Sequence, residues 1–223
     1  MTKHLKILIC LALFAASCKQ ESGSPVSLHQ DYFPVDIGKW VEYEVEEINY
    51  TTSSTGDTTR YFIKEVYADT FTDNSNRLTY RIERFSKDSL AGEYVIKDVW
   101  HANLTTTTAE VVEEGQRFTK MIYPVTRNKY WDGNALNNLV EWEYNYDSIH
   151  KPYLINGLSF DSTVKVVQRD NFNAVEFEIA EEVYTKRVGL IYKRYMDLTI
   201  DTFNVLDIQG GIDLTMKVIA YGQ

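Results

Sequence analysis

Carboxylates are the most conspicuous residues able to do chemistry in this chain. Glu42, Glu44 and Glu46 alternate through "KWVEYEVEEI", Glu141 and Glu143 through "LVEWEYNY", and Glu176 and Glu178 through "AVEFEIAEEV". A glycosidase needs two carboxyl groups roughly 5 to 10 Å apart across a cleft. Each of these acids instead alternates with apolar neighbours, which assigns it to the polar, solvated face of a strand. Three tryptophans are the other candidates, since Trp100, Trp131 and Trp142 could stack on a sugar or line a barrel cavity. Trp142 shares the inward register of Val140, Tyr144 and Tyr146, so it belongs to the core. Trp131 lies in the irregular stretch "YPVTRNKYWDGNALNN", and Tyr130, Trp131 and Asp132 are therefore the candidate ligand contacts.

Other chemistries lack their residues. His29, His101 and His150 are far apart and show no His-x-x-x-His or Cys/His spacing, so no metal site is expected. The asparagine-rich turns do not follow the calcium-loop pattern. The chain contains no Gly-x-Ser-x-Gly elbow, phosphate loop or dinucleotide fingerprint. These readings give a non-enzymatic protein without a cofactor.

The first residues carry an address. Lys3 and Lys6 precede an apolar run from Ile7 to Ala16, the layout of an export signal. That run is half the length of about 20 residues needed to span a bilayer. Cys18 follows Ala15, Ala16 and Ser17 directly, which resembles the bacterial lipobox, in which the signal is removed before a cysteine that receives diacylglycerol. The departure is Ala15, where a leucine is usual, and ordinary signal cleavage would also accept Ala15 and Ser17. Of two cysteines, Cys10 lies within the signal, so the processed chain would keep an unpaired Cys18. Lipidation turns that exported thiol into a thioether and an anchor, and the acylated sulfur is then no nucleophile. The expected organisation is a signal over residues 1–17, lipidated Cys18 with a flexible tether over 18–30, and one domain over 31–223.

Processing at Cys18 leaves 21 basic against 32 acidic residues, moving the net charge from −9 to −11. Such a domain repels phosphate backbones, which excludes nucleic acid, and is a poor fit to anionic headgroups. The membrane is then met through the lipid alone, with an envelope protein or glycan as a possible further partner.

Sixteen tyrosines, ten phenylalanines and abundant valine and threonine favour strands. Period-two alternation recurs along the chain. The inward sets are Val41, Tyr43 and Val45; Leu78, Tyr80 and Ile82; Val175, Phe177 and Ile179; and Ile212, Leu214, Met216 and Val218. Further strands are expected near 60–68, 93–101, 105–112, 117–123, 163–169 and 188–200. Short turns such as "DNSN", "EEGQ" and "RDNFN" join them as antiparallel hairpins. The expected fold is all-β: one antiparallel meander of ten or eleven strands, curved or closed into a lipocalin-like barrel, with a sandwich as the alternative. Residues 123–138 form a long connection with room for one helical turn.

Three stretches, "YFPVDIGKWVEYEV" at 32–45, "YWDGNALN" at 130–137 and "EVYTKRVGLIYKR" at 182–194, occur in this order. Together they resemble a family of uncharacterised Bacteroidota lipoproteins with an early Phe-Pro…Gly…Trp…Tyr strand, a Trp-Asp-Gly-Asn loop and a late Val-Gly-Leu strand. The family has no assigned activity, so the resemblance implies location and fold: a lipoprotein of the outer membrane or cell surface. Arg187 stands where similar proteins often have glycine. "KQES" after Cys18 also resembles the signals that send some Bacteroidota lipoproteins to the surface.

Six of fifteen aspartates precede Ser or Thr. Four of these, "DTT", "DSL", "DSI" and "DST", resemble the O-glycosylation acceptor of exported Bacteroidota proteins, which implies Thr58, Ser89, Ser148 and Ser162 as acceptors. The same dipeptides are ordinary turn chemistry.

Two functions follow: a membrane-anchored, non-catalytic binding or structural accessory of the envelope, or a lipocalin-like carrier of a small apolar ligand.

Overall fold

The structure is a computed structural model and describes residues 27–51 and 55–223. Cys18 lies outside the described residues. Twelve strands follow one another: β1 (Trp40–Tyr50), β2 (Asp57–Thr72), β3 (Leu78–Lys87), β4 (Val95–Leu104), β5 (Thr108–Glu113) and β6 (Gln116–Ile122), then β7 (Tyr130–Asp132), β8 (Glu143–Ile155), β9 (Leu158–Phe172), β10 (Glu176–Thr185), β11 (Gly189–Asp201) and β12 (Asn204–Gly222). All belong to one antiparallel sheet, in the order β6-β5-β4-β3-β2-β1-β12-β11-β10-β9-β8-β7, which curls into a nearly closed barrel. Every pairing joins sequence neighbours except β1 with β12, which zips the first strand to the last from Trp40↔Gly222 to Tyr50↔Gly211. The alternation on β1 decides its inner face: Val41, Tyr43 and Val45 are buried and the glutamates between them are not.

The free edges, β6 and β7, meet mainly through side chains, with one backbone bond, in place of a ladder. The Trp131 indole Nε1 donates to the Thr119 carbonyl at 2.8 Å, and the Thr119 amide donates to the Gly133 carbonyl at 2.9 Å. Tyr146 from β8 donates its hydroxyl to the Ile122 carbonyl at 2.7 Å and accepts from the Ile122 amide at 3.0 Å. These bonds satisfy backbone groups that an open edge would present to another chain. The Trp131 ring lies edge-on to Tyr144, with centroids 5.9 Å apart, and 4.8 Å from Tyr146. Gly133 is required because a Cβ there would fall 2.2 Å from the Tyr144 ring. Asp132 Oδ1 accepts from the amides of Asn134 and Trp142, and Asn137 Nδ2 reaches the Arg117 carbonyl, so the loop itself is a latch.

One end of the barrel is packed by the segment before β1. Leu28 accepts at its carbonyl from the Val125 amide, the Arg187 amide donates to the Asp31 carbonyl at 2.7 Å, and a 3₁₀ turn over Gln30–Tyr32 buries Tyr32 completely. Phe33 meets the Tyr184 ring at 6.0 Å, and Pro34 lies against Gly189, whose φ of +99° suits glycine. Arg187 has a φ of +64°, a left-handed conformation that glycine adopts with less strain than arginine.

The single antiparallel meander curled into a barrel is the expected fold, and the sandwich alternative falls away. Other details differ from the expectations. The connection after Tyr123 holds the short strand β7 and turns, without a helical turn. Leu78, Val140 and Val175 are exposed because they sit at a strand end or in turns, where alternation no longer assigns a face. On β10 the cavity-facing residues are Glu182 and Tyr184. Phe177 and Ile179 join a separate cluster with Met196, Leu198 and Ile200.

The seam makes a direct prediction. Trp131→Ala is expected to lower unfolding stability by about 3 kcal/mol, as for other large-to-small aromatic replacements. Tyr146→Phe, which leaves both Ile122 backbone groups unmet, should cost about 1–3 kcal/mol. Urea denaturation measures both, and wild-type midpoints would refute the latch.

Candidate functional site

Inside the barrel lies a cavity of about 280 Å³. Strand alternation builds its wall: Val41, Tyr43 and Val45 on β1, Tyr61, Ile63, Glu65 and Tyr67 on β2, and Leu214 and Met216 on β12. Phe33, Pro34 and Trp40 line it from the packed end.

Six charged residues share this wall with the apolar ones. Glu65, Arg84 and Asp98 stand directly opposite one another on β2, β3 and β4. Arg84 Nε donates to Glu65 at 2.9 Å, and its Nη1 donates to both oxygens of Asp98 at 2.9 and 3.0 Å. The guanidinium also lies 3.5 Å from the Trp100 ring centroid, a cation–π contact that a lysine would not reproduce. Of this trio, Glu65 and Arg84 face the cavity.

The second charged group spans the barrel. Lys120 reaches Glu113 at 2.7 Å and Glu182 at 2.8 Å, while Lys193, opposite Glu182 in the β10–β11 ladder, stands 3.6 and 3.5 Å from the same two carboxylates. Tyr184 donates its hydroxyl to Glu182 Oε2 at 2.5 Å. Lys120 points inward because of a bulge: Ala109 pairs with Met121 and Glu110 with Thr119, so Lys120 is the extra residue between them. Thr119, Lys120 and Met121 are consequently all buried, which no period-two pattern anticipates.

Burial by itself raises the Glu113 carboxyl, but the ammonium groups of Lys120 and Lys193 outweigh it and hold the carboxyl at about 2. Burial likewise opposes the Glu182 charge, and the same two lysines bring that carboxyl below its ordinary range. Burial and the neighbouring Glu113 push Glu65 up, against the pull of Arg84 and Lys193.

The residues singled out in the sequence sit elsewhere. Trp131, Tyr130 and Asp132 lie at the seam and do not line the cavity; Tyr130 is exposed and the other two are half-buried. Trp142 is half-buried, with the Arg169 guanidinium 5.4 Å from its ring centroid, and Trp100 does line the cavity. Among the glycan candidates, Thr58 and Ser89 are exposed, Ser148 is half-buried in β8, and the Ser162 hydroxyl meets Tyr32 at 2.8 Å and His150 at 3.2 Å. His29 and His150 come together, with ring centroids 4.6 Å apart, beside the packed end, while His101 lies against Phe71. Glu65, Glu113 and Glu182 escaped the sequence reading because an acid on a strand is ordinarily assigned to the solvated face, and Glu113 and Glu182 each stand beside a second glutamate, Glu114 and Glu181. The signal that could have found Glu65 is its place two residues from both Ile63 and Tyr67.

No family model and no curated protein matches the chain. Two solved structures are similar to it. One, from Bacteroides fragilis, is classed as an exported protein with a YmcC-like fold; it is 10% identical, with 86% of this chain and 98% of that chain covered at a TM-score of 0.48. The other, from Parabacteroides distasonis, is classed as a lipoprotein; it is 12% identical, with 84% and 98% covered at a TM-score of 0.42.

Removing Lys120 leaves the buried Glu113 and Glu182 carboxylates to share the more distant Lys193. Lys120→Met is expected to cost about 3–5 kcal/mol in chemical denaturation. The acid limb gives a second check. Glu113 and Glu182 have lowered carboxyls, so their stabilisation is present above the ordinary carboxylate range and is lost as pH falls toward about 2. Glu113→Gln should flatten the fall of Tm in that window, and an unchanged slope would refute the ion-pair account.

Proposed function

We propose that this protein is a lipid-anchored component of the bacterial envelope that binds a small, partly apolar molecule within its barrel and does no chemistry on it. The observation that carries this reading is the cavity of about 280 Å³ inside a nearly closed barrel, where apolar side chains and charged groups share one wall. Its size is at the small end of ligand sites, which run to roughly 300–1,000 Å³. Each cavity carboxylate is tied to a cation, an arrangement suited to holding charges in place. Support for the anchor comes from the sequence: a short export signal, a lipobox-like stretch and Cys18, the one cysteine that removal of the signal with Cys10 would leave. An outer-membrane or surface position accords with the "KQES" stretch after it. A protein or glycan partner would meet the outer surface, where Tyr130 is 60% exposed.

Binding inside the barrel is checked by native mass spectrometry of the protein purified from membranes. Wild type should carry a bound small molecule and Leu214→Trp, whose larger side chain fills the cavity, should not. A wild type that holds nothing and takes up no alkyl alcohol would sink the receptacle.

The anchor is tested by membrane partitioning. Wild type should be recovered in membranes with a lipid-sized mass increase that Cys18→Ser abolishes. A soluble, unmodified wild type would mean that the signal is processed without lipidation. The same mass measurement tests glycosylation, for which Thr58 and Ser89 are the accessible acceptors.

A further inference from the structure

The cavity wall is charge-balanced. Arg84, Lys120 and Lys193 face it on the positive side, and Glu65, Glu113 and Glu182 on the negative side. Asp98 stands behind Arg84, outside the lining, and has Lys97 3.8 Å away as well. An ionic ligand would therefore bring an uncompensated charge into a site of low dielectric, which is costly unless that charge is paired.

Hydrogen bonding separates the scaffold from the groups left to meet a ligand. Lys120, Glu182, Tyr184 and Arg84 are engaged with one another or with Glu113, Glu65 and Asp98, and Tyr43 donates to the Leu190 carbonyl. Lys193, Glu65 and Tyr67 differ, and Glu113 Oε2, which among the described residues has only the Lys193 ammonium 3.6 Å away, is open in the same way. The Lys193 ammonium has its carboxylates no nearer than 3.5 Å and donates no hydrogen bond to a described residue. Glu65 accepts from Arg84 at Oε1, while its Oε2 accepts from none of the described residues. The Tyr67 hydroxyl, two residues from Glu65 on the same face of β2, makes no side-chain hydrogen bond to a described residue either. One cation, two carboxylate oxygens and one hydroxyl thus offer both donors and acceptors. Val41, Val45, Ile63, Leu214 and Met216 supply the apolar remainder of the wall.

Resting on the receptacle reading above, we infer that the ligand is a net-neutral amphiphile. It has a short apolar body and a head that both donates and accepts hydrogen bonds, meeting Lys193, Glu65 and Tyr67. Burial supports this by pushing the Tyr67 hydroxyl far above its ordinary range, so that it stays protonated and able to donate.

Isothermal calorimetry at pH 8 with octane-1,2-diol, octanoate and octylamine tests the inference on the wild-type protein. The diol should bind at least ~10-fold more tightly than either ion. Removing one lining charge should then shift the ranking in a stated direction. Glu65→Gln leaves a positive excess and should raise octanoate affinity relative to octylamine, and Lys193→Met should do the reverse. An ion that binds wild type as tightly as the diol overturns the neutral-ligand inference while the receptacle stands. Binding of none of the three overturns the receptacle, and the inference with it. If a variant does not fold, the wild-type ranking alone decides.

Discussion

Lys120 joins two demands that a barrel of this kind cannot meet separately. It sits on β6, an edge of the sheet, and its ammonium reaches across the interior to Glu182 on β10. The edge strand is thereby fastened to a wall it does not pair with. Hydrogen-bonded ladders alone cannot do this, because they link only adjacent strands. The bulge that turns Lys120 inward is consequently a feature of the closure as well as of the cavity.

A buried ion pair is a weak source of net stability, since desolvation offsets most of the attraction. Its consequence here is specificity. A sheet that slipped by one residue at β6 or β10 would turn Lys120 or Glu182 away from its partner and leave the other charge buried alone, so the cluster penalises wrong registers strongly. The apolar wall imposes the same register more softly. A barrel fixed in this way can keep an open interior, because its shape does not depend on filling every space with side chains.

The three stretches singled out in the sequence have physical roles in the fold. The first and third meet at the packed end, where Phe33 contacts Tyr184 and Pro34 lies on Gly189. Tyr43 also donates to the Leu190 carbonyl there. The second closes the seam through Trp131, Gly133 and Asn137. Close approach to the Tyr144 ring requires Gly133 and a φ of +99° suits Gly189, and these reasons explain both residues without reference to a ligand.

By itself the sequence determined all the strands but β7, their antiparallel order and a curved meander, with a sandwich left as the alternative. Alternation and turn chemistry are local, and each strand pairs with its neighbour in the chain. The lipobox-like stretch around Cys18 is likewise a linear pattern, legible without the fold. What only the tertiary structure decided lies where distant segments meet: the β1–β12 pairing, the side-chain seam between β6 and β7, and the cavity. Glu65, Glu113 and Glu182 read as surface acids one strand at a time, because their partners Arg84, Lys120 and Lys193 lie on other strands. A bulge shifts the face of every residue beyond it, and Lys120 enters the interior only through one. Periodicity within a strand cannot carry that information, since a bulge is settled by how two strands pair.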